Sequence, residues 1–305
     1  MLNTIATILL SLLGVSLIYV LYRTVIGKPV ERRIVFAYIG LGVTLPLLMK
    51  MTPPLPITTD VQRLYDHISK LPPGSKVLCA FDYDPPSAPE LQPMAVAFVK
   101  YAFKHDLKLI IMGLWPQGPQ QARMALELAF KDSLVAVKPH EEGVDWVNLG
   151  FQSGNEFVIL SMGDGFKRMF PRDTRLIPYD SIPILNNVVN FSNIDFIMNF
   201  GAGYPGTREW VQIGVDRYKS TLGAGTTAVQ ATEVYPYLSS GQLVGLLGGM
   251  SGAAEFEKVL DEKGKASTFL LAQMFGHAAV MAFVIIGNVA FFVLRRKKKS
   301  PEGND

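Results

Sequence analysis

Two carboxylates one residue apart, Asp82 and Asp84, follow directly on the apolar run Val77–Phe81. An acidic pair so placed can bind a hard cation, or can divide nucleophile and acid roles in phosphoryl transfer. A different chemistry belongs to two glycine-rich stretches. Gly201-Ala202-Gly203-Tyr204-Pro205-Gly206-Thr207 has the spacing G-x-G-x-x-G, and Gly223-Ala224-Gly225-Thr226-Thr227 shares its small and hydroxylated character. Such loops bind anions because glycines let backbone N–H groups converge at the positive end of a helix. Gly201, Gly203, Gly206, Thr207 and Arg208, with Gly225, Thr226 and Thr227, are therefore the candidate ligands of a small anion. A dinucleotide is not expected, since Pro205 removes one N–H from the cradle and no acid stands at the ribose distance.

The run Val77–Phe81 with Asp82-Tyr83-Asp84 resembles the opening motif of the haloacid-dehalogenase-type phosphatases, an apolar strand leading into Asp-x-Asp-x-Thr or Val. Gly163-Asp164-Gly165, after the apolar run Phe157–Met162, is similar to that family's later acidic motif. The resemblance implies a magnesium-dependent phosphohydrolase built on Asp82 and Asp84, with Asp164 as a further acid. The chain departs from the pattern at Pro86, and again after Asp164, where the next acid is Asp173. The other reading is that Asp82 and Asp84 terminate a strand and cap the turn before Ser87 and Glu90. On that reading the chain has no catalytic residue, and neither a cofactor nor a metal is expected. Cys79, the single cysteine, excludes an internal disulfide, and His67, His105 and His140 lack ligand spacing for zinc.

The elements that must position these groups are legible as alternating patterns. Continuous apolar runs predict strands at Val77–Phe81, Leu109–Leu114, Val144–Leu149, Phe157–Met162 and Asp195–Phe200. Helical spacing predicts Asp60–Leu71, Pro93–His105, Pro119–Lys131, Thr207–Lys219 and Ser239–Lys263, the first capped by Thr58 or Thr59. Ser153-Gly154-Asn155 predicts a hairpin turn between two antiparallel strands. The expected fold is α/β, a Rossmann-like three-layer domain with a mainly parallel, mixed sheet.

Three apolar segments bracket that domain: Leu2–Tyr22, Ile34–Met49 and Thr268–Leu294. Met1–Thr4 carries no basic side chain and the first apolar stretch is long for a leader, so it is expected to remain as a membrane helix. Arg23, Lys28, Arg32 and Arg33 lie between the first two segments, and Arg295, Arg296, Lys297, Lys298 and Lys299 follow the third. The positive-inside rule then divides the chain into membrane helix 1–22, cytoplasmic loop 23–33, membrane helix 34–50, extracytoplasmic domain 51–266, membrane helix 267–294 and cytoplasmic tail 295–305. Between Met51 and Ala290 there are 19 basic and 23 acidic residues, so the basic pI of 8.8 reflects membrane orientation and no nucleic-acid partner is expected.

Two stripes suggest contact surfaces. Gly241, Gly245 and Gly249 recur every four residues in an uncharged stretch, a pattern that lets another backbone approach closely along a helix. Gln273, His277 and Asn288 fall at nearly one azimuth of the last apolar segment, where polar groups normally face protein. The leading expectation is a multi-pass membrane protein serving as a non-enzymatic subunit or scaffold, with other membrane subunits or further copies as partners. The alternative is a sensor holding a small anion in its glycine-rich loops.

Overall fold

The computed structural model describes residues 2–28, 30–49, 53–262 and 264–299. It divides into two compact units, Met1–Pro54 with Ser267–Asp305, and Leu55–Ala266. In chain order the first elements are α1 (Leu2–Val25), α2 (Arg32–Met49), α3 (Thr59–Ile68), β1 (Lys76–Asp82), α4 (Ala88–Lys104), β2 (Lys108–Gly113), α5 (Gly118–Phe130) and β3 (Trp146–Phe151). Then come α6 (Glu156–Asp164), α7 (Phe166–Met169), β4 (Phe196–Gly201), α8 (Thr207–Glu209), β5 (Leu222–Thr226), α9 (Ala228–Ser239), β6 (Leu246–Gly248), α10 (Gly249–Val259) and α11 (Ala266–Lys299). Past α8 the helix widens to π-form over Trp210–Val215.

In the domain unit, six parallel strands form one sheet in the order β3-β2-β1-β4-β5-β6. The chain winds outward from β1 to β3, returns across β1, and winds the other way from β4 to β6. Helices α4 and α5 pack together on one face with α3 and α10, while α6, the π-helical segment and α9 cover the other. Strands covered on both faces must be apolar throughout, which is why β1, β2 and β4 stand out as uninterrupted runs. Phe81, Phe98, Phe196 and Phe200 are fully buried around the centre, each worth about 2–3 kcal/mol of transfer free energy.

The sheet is wholly parallel, which corrects the mixed sheet and the hairpin at Gln152–Glu156. Phe157–Met162 is helical, within α6. A six-residue apolar run has the same composition as a strand or as a short packed helix, so periodicity does not separate them. The backbone decides: Gly154 (φ +133°) and Asn155 (φ +51°) turn the chain into a helical start rather than a return strand. Three smaller corrections follow. The helix expected from Pro93 begins at Ala88, with Pro93 inside it. Thr58 precedes α3 but makes no side-chain cap, giving its hydroxyl to Glu255 instead. The single helix expected over Ser239–Lys263 is instead the end of α9, a loop, β6 and α10.

That last difference dissolves the glycine stripe as a helical face. Gly241 (φ +79°) ends α9, Gly245 precedes β6 and Gly249 (φ +60°) opens α10. The closeness they permit is internal. A Cβ on Gly245 would stand 2.5 Å from the Leu64 nitrogen, so α3 rests directly on this backbone.

The other unit contains α1, α2 and α11. Two helices among the described residues, Arg32–Met49 and Ala266–Arg296, are long and apolar enough to cross a membrane, against the three expected; the apolar stretch Ser11–Val25 of α1 is shorter. Tyr38 on α2 shares a hydrogen bond with Ser16 of α1 and meets Phe283 of α11 edge-on, ring centroids 5.5 Å apart. Gly42 and Val43 of α2 lie against Phe275 and Gly276 of α11. The expected domain start at Met51 and Thr52, and the tail from Ser300, lie outside the described residues.

Candidate functional site

In a sheet of this winding the strand order reverses between β1 and β4, and the crevice beyond their carboxyl ends is where α/β proteins place ligands. Asp82 ends β1 there and Gly201 ends β4, paired in register. The Asp82 side chain is fully buried. It accepts hydrogen bonds from the Leu114 N–H at 2.7 Å, Asn199 Nδ2 at 2.7 Å and Trp210 Nε1 at 2.8 Å. Burial pushes its carboxyl up from 3.8 to about 7, against the pull of the three donors and with a further push from Glu209. Asn199 in turn accepts from the Thr207 hydroxyl at 2.6 Å. One carboxylate thereby joins β1, the end of β2, β4 and the π-helical segment.

Asp84 does not join it. Its Oδ1 accepts from the Ser87 hydroxyl at 2.9 Å and caps the turn Pro85–Ser87. Asp164 is exposed at the last residue of α6. That helix starts beside Tyr204, whose hydroxyl donates to Glu156 at 2.6 Å. It runs back to Phe166, whose N–H bonds Val189 near Asn186; the Asn186 carbonyl takes Lys76 from the amino end of β1. Asp164 therefore stands at the opposite edge of the sheet from Asp82. Among the described residues no three His, Cys, Asp or Glu side chains are gathered as a metal site.

The glycine-rich loop after β4 is closed on itself. Gly206 N–H donates to Glu209 Oε2 at 2.9 Å, and Glu209, buried at 4% exposure, also receives Arg208 Nε at 2.9 Å. The Trp115 indole donates to the Pro205 carbonyl at 2.8 Å. A Cβ at Gly206 would lie 2.2 Å from the Gly203 carbonyl oxygen, so the turn admits only glycine. The loop after β5 repeats the device: the Ala228 N–H opening α9 donates to Glu90 Oε2 of α4 at 2.8 Å, and Thr227 caps Gln230. At both helix starts, then, the place an anion would take is held by the chain's own carboxylate. Thr226, paired with Gly201, brings the two loops side by side, and its buried hydroxyl has no hydrogen-bond partner in the structure.

The groups expected from sequence thus separate. Gly201, Gly203, Gly206, Thr207, Arg208, Gly225, Thr226 and Thr227 gather at the carboxyl edge with Asp82, while Asp84 and Asp164 serve elsewhere. The residues that organise this edge, Asn199, Trp210, Trp115, Glu209 and Glu90, were not singled out. Glu209 had a signal, an acid three residues after Gly206 at a helix start. Asn199 and Trp210 had none, because only the sheet order brings them to Asp82. A cavity of about 390 Å³ beside Lys167, Tyr179, Asp180 and Asn186 lies toward the other edge of the sheet. Comparison with known proteins returns no matching family model and no matching curated protein.

Proposed function

We propose that this protein is a membrane-anchored, non-enzymatic subunit or scaffold of a membrane assembly. Two membrane helices, α2 and α11, carry the domain on the extracytoplasmic side, with the α1–α2 loop and the basic C-terminus in the cytoplasm. The observation that carries the reading is that the acids of the carboxyl edge are held by the chain's own donors, although the buried Thr226 hydroxyl beside them has no partner. Where an α/β enzyme keeps donors and acids open for substrate, this chain commits Asp82, Glu209 and Glu90 to its own backbone and side chains. The same closure weighs against the anion sensor and the phosphohydrolase, since two carboxylates already fill the helix starts and Asp84 is spent on a cap. Gln273, His277 and Asn288 give the assembly its attachment, being polar and exposed on a helix apolar enough to lie in lipid.

The test is gentle detergent extraction of the tagged full chain. Other subunits or further copies are expected to come with it in fixed ratio, and a monodisperse monomer would sink the proposal. In the same sample, hydrolysis of phosphate esters with Mg²⁺ that Asp82→Asn abolishes would install the phosphohydrolase instead.

A further inference from the structure

The connection from α10 to α11 is locked to a loop of the domain. Glu262, four residues before α11 begins at Ala266, pairs with Lys104 and stands 3.7 Å from Lys100, both near the end of α4. The same two lysines hold Asp132, Lys100 at 2.8 Å and Lys104 at 3.7 Å. Asp132 lies at the start of the segment 131–140 that follows α5. Its Oδ1 receives the Leu134 N–H at 3.0 Å and its carbonyl the Ala136 N–H at 2.9 Å, which closes a single helical turn. Val135 is buried in that turn, His140 Nε2 lies 3.1 Å from its carbonyl oxygen, and the His140 ring stacks on Phe103 with centroids 4.4 Å apart. With Val135 turned inward, Leu134 and Val137 are turned out, 66% and 74% exposed.

Exposed apolar side chains are ordinary in themselves. What separates this pair from Phe157, Tyr204 and Val229, which are exposed at the carboxyl edge, is its place beside the start of α11. Four residues of chain span at most about 14 Å, so the ion pairs keep the turn within short reach of Ala266. Asp132, Glu262 and Asp106 are each paired, the last with Lys138 at 2.9 Å, so no unpaired acid of this cluster opposes a phosphate. Lys131 is exposed and joins no ion pair among the described residues. We propose that Leu134 and Val137 dock the domain on the lipid surface beside α11, with the Lys131 and Lys138 ammonium groups at the headgroup phosphates. This rests on the reading of α11 as a membrane helix. The headgroup layer, about 5–7 Å deep on each side of the hydrocarbon, accepts such a pair of apolar side chains flanked by lysine stems.

Cys79 is fully buried in β1, so a fluorophore on an introduced cysteine is the only label. Val137→Cys, Val229→Cys at the carboxyl edge and Val284→Cys on α11 are made one at a time in the full chain and reconstituted in phosphatidylcholine–phosphatidylglycerol vesicles with and without brominated lipid. Strong quenching is expected at 284, and quenching at 137 at least about threefold above that at 229. Quenching at 284 with none at 137 beyond the level at 229 overturns the docking and leaves the membrane reading standing. No quenching at 284 removes both. In native membranes the label at 137 is expected to be reached by a lipid-soluble nitroxide and shielded from aqueous iodide. A label shielded from both is covered by protein, which overturns the lipid surface as the occupant.

Discussion

Asp82 ties three elements to β1 through one side chain, and its protonation must register in the stability of the whole domain. In the unfolded chain it ionises near the ordinary value of 3.8, while burial holds the folded group to about 7. The folded state keeps the proton to higher pH, so the stability from this group is complete below about pH 4 and is lost as pH rises through about 7. Urea unfolding of the purified chain, followed by tryptophan fluorescence to which Trp210 contributes, is expected to show the midpoint falling across that window. Asp82→Asn should flatten the slope; an unchanged slope would assign the titration to another group. Asp82→Ala should cost about 3 kcal/mol or more, because the Leu114 N–H, Asn199 and Trp210 lose their acceptor inside the protein. At Gly163 a Cβ would stand 1.9 Å from the Tyr218 ring. Gly163→Ala is expected to lower stability in the same assay by about 1–3 kcal/mol, and Tyr218→Ala to recover part of that loss by opening the space. Of this chemistry the sequence disclosed the position of Asp82 at a strand end, because a charge after an apolar run is a local signal. Its partners Asn199 and Trp210 lie in a later strand and the helix behind it, and no local pattern points across that distance.

Helix α10 is the element that ties the ends of the domain to its core. Glu255 Oε2 accepts the Thr58 N–H at 2.8 Å and the Thr58 hydroxyl at 2.6 Å, Lys258 reaches the Leu55 carbonyl, and Glu257 accepts the Ala266 N–H at 3.0 Å. Glu255 and Glu257 are buried, at 5% and 4% exposure, so their removal is felt. Glu255→Ala is expected to cost about 1–3 kcal/mol and to speed amide exchange at Thr58 and along the first turn of α3. Exchange unchanged at Thr58 would show that the strap is held by other contacts. The elements most legible in sequence were β1, β2, β4 and α5, each marked by a long apolar run or a first-turn proline. Those misread had balanced signals. Phe157–Met162 has the composition of a strand, and β6 is three residues set among glycines whose four-residue spacing imitates a helical face. A parallel pairing with β5, decided far along the chain, settled the second of these against its local pattern.

Taken whole, the chain is an α/β domain and a separate helical unit that holds two helices long and apolar enough to span a membrane, and the proposed orientation has a direct readout. With Cys79 buried, an exposed residue replaced by cysteine is the only reactive thiol. Val229→Cys, at a position 76% exposed on α9, is expected to react with a membrane-impermeant maleimide in intact cells. Lys28→Cys, at an exposed position between α1 and α2, is expected to react only after permeabilisation. The reverse pattern would invert the proposed topology. The strapping of Leu55–Thr58 and Ala266 to one stretch of α10 has a mechanical consequence as well. Tension applied between the chain's two connections to the domain would load the contacts around Glu255, Glu257 and Lys258 first. The parallel sheet lies outside that short load path, so a pull would part the straps and lengthen the connections before any strand slid from its neighbour.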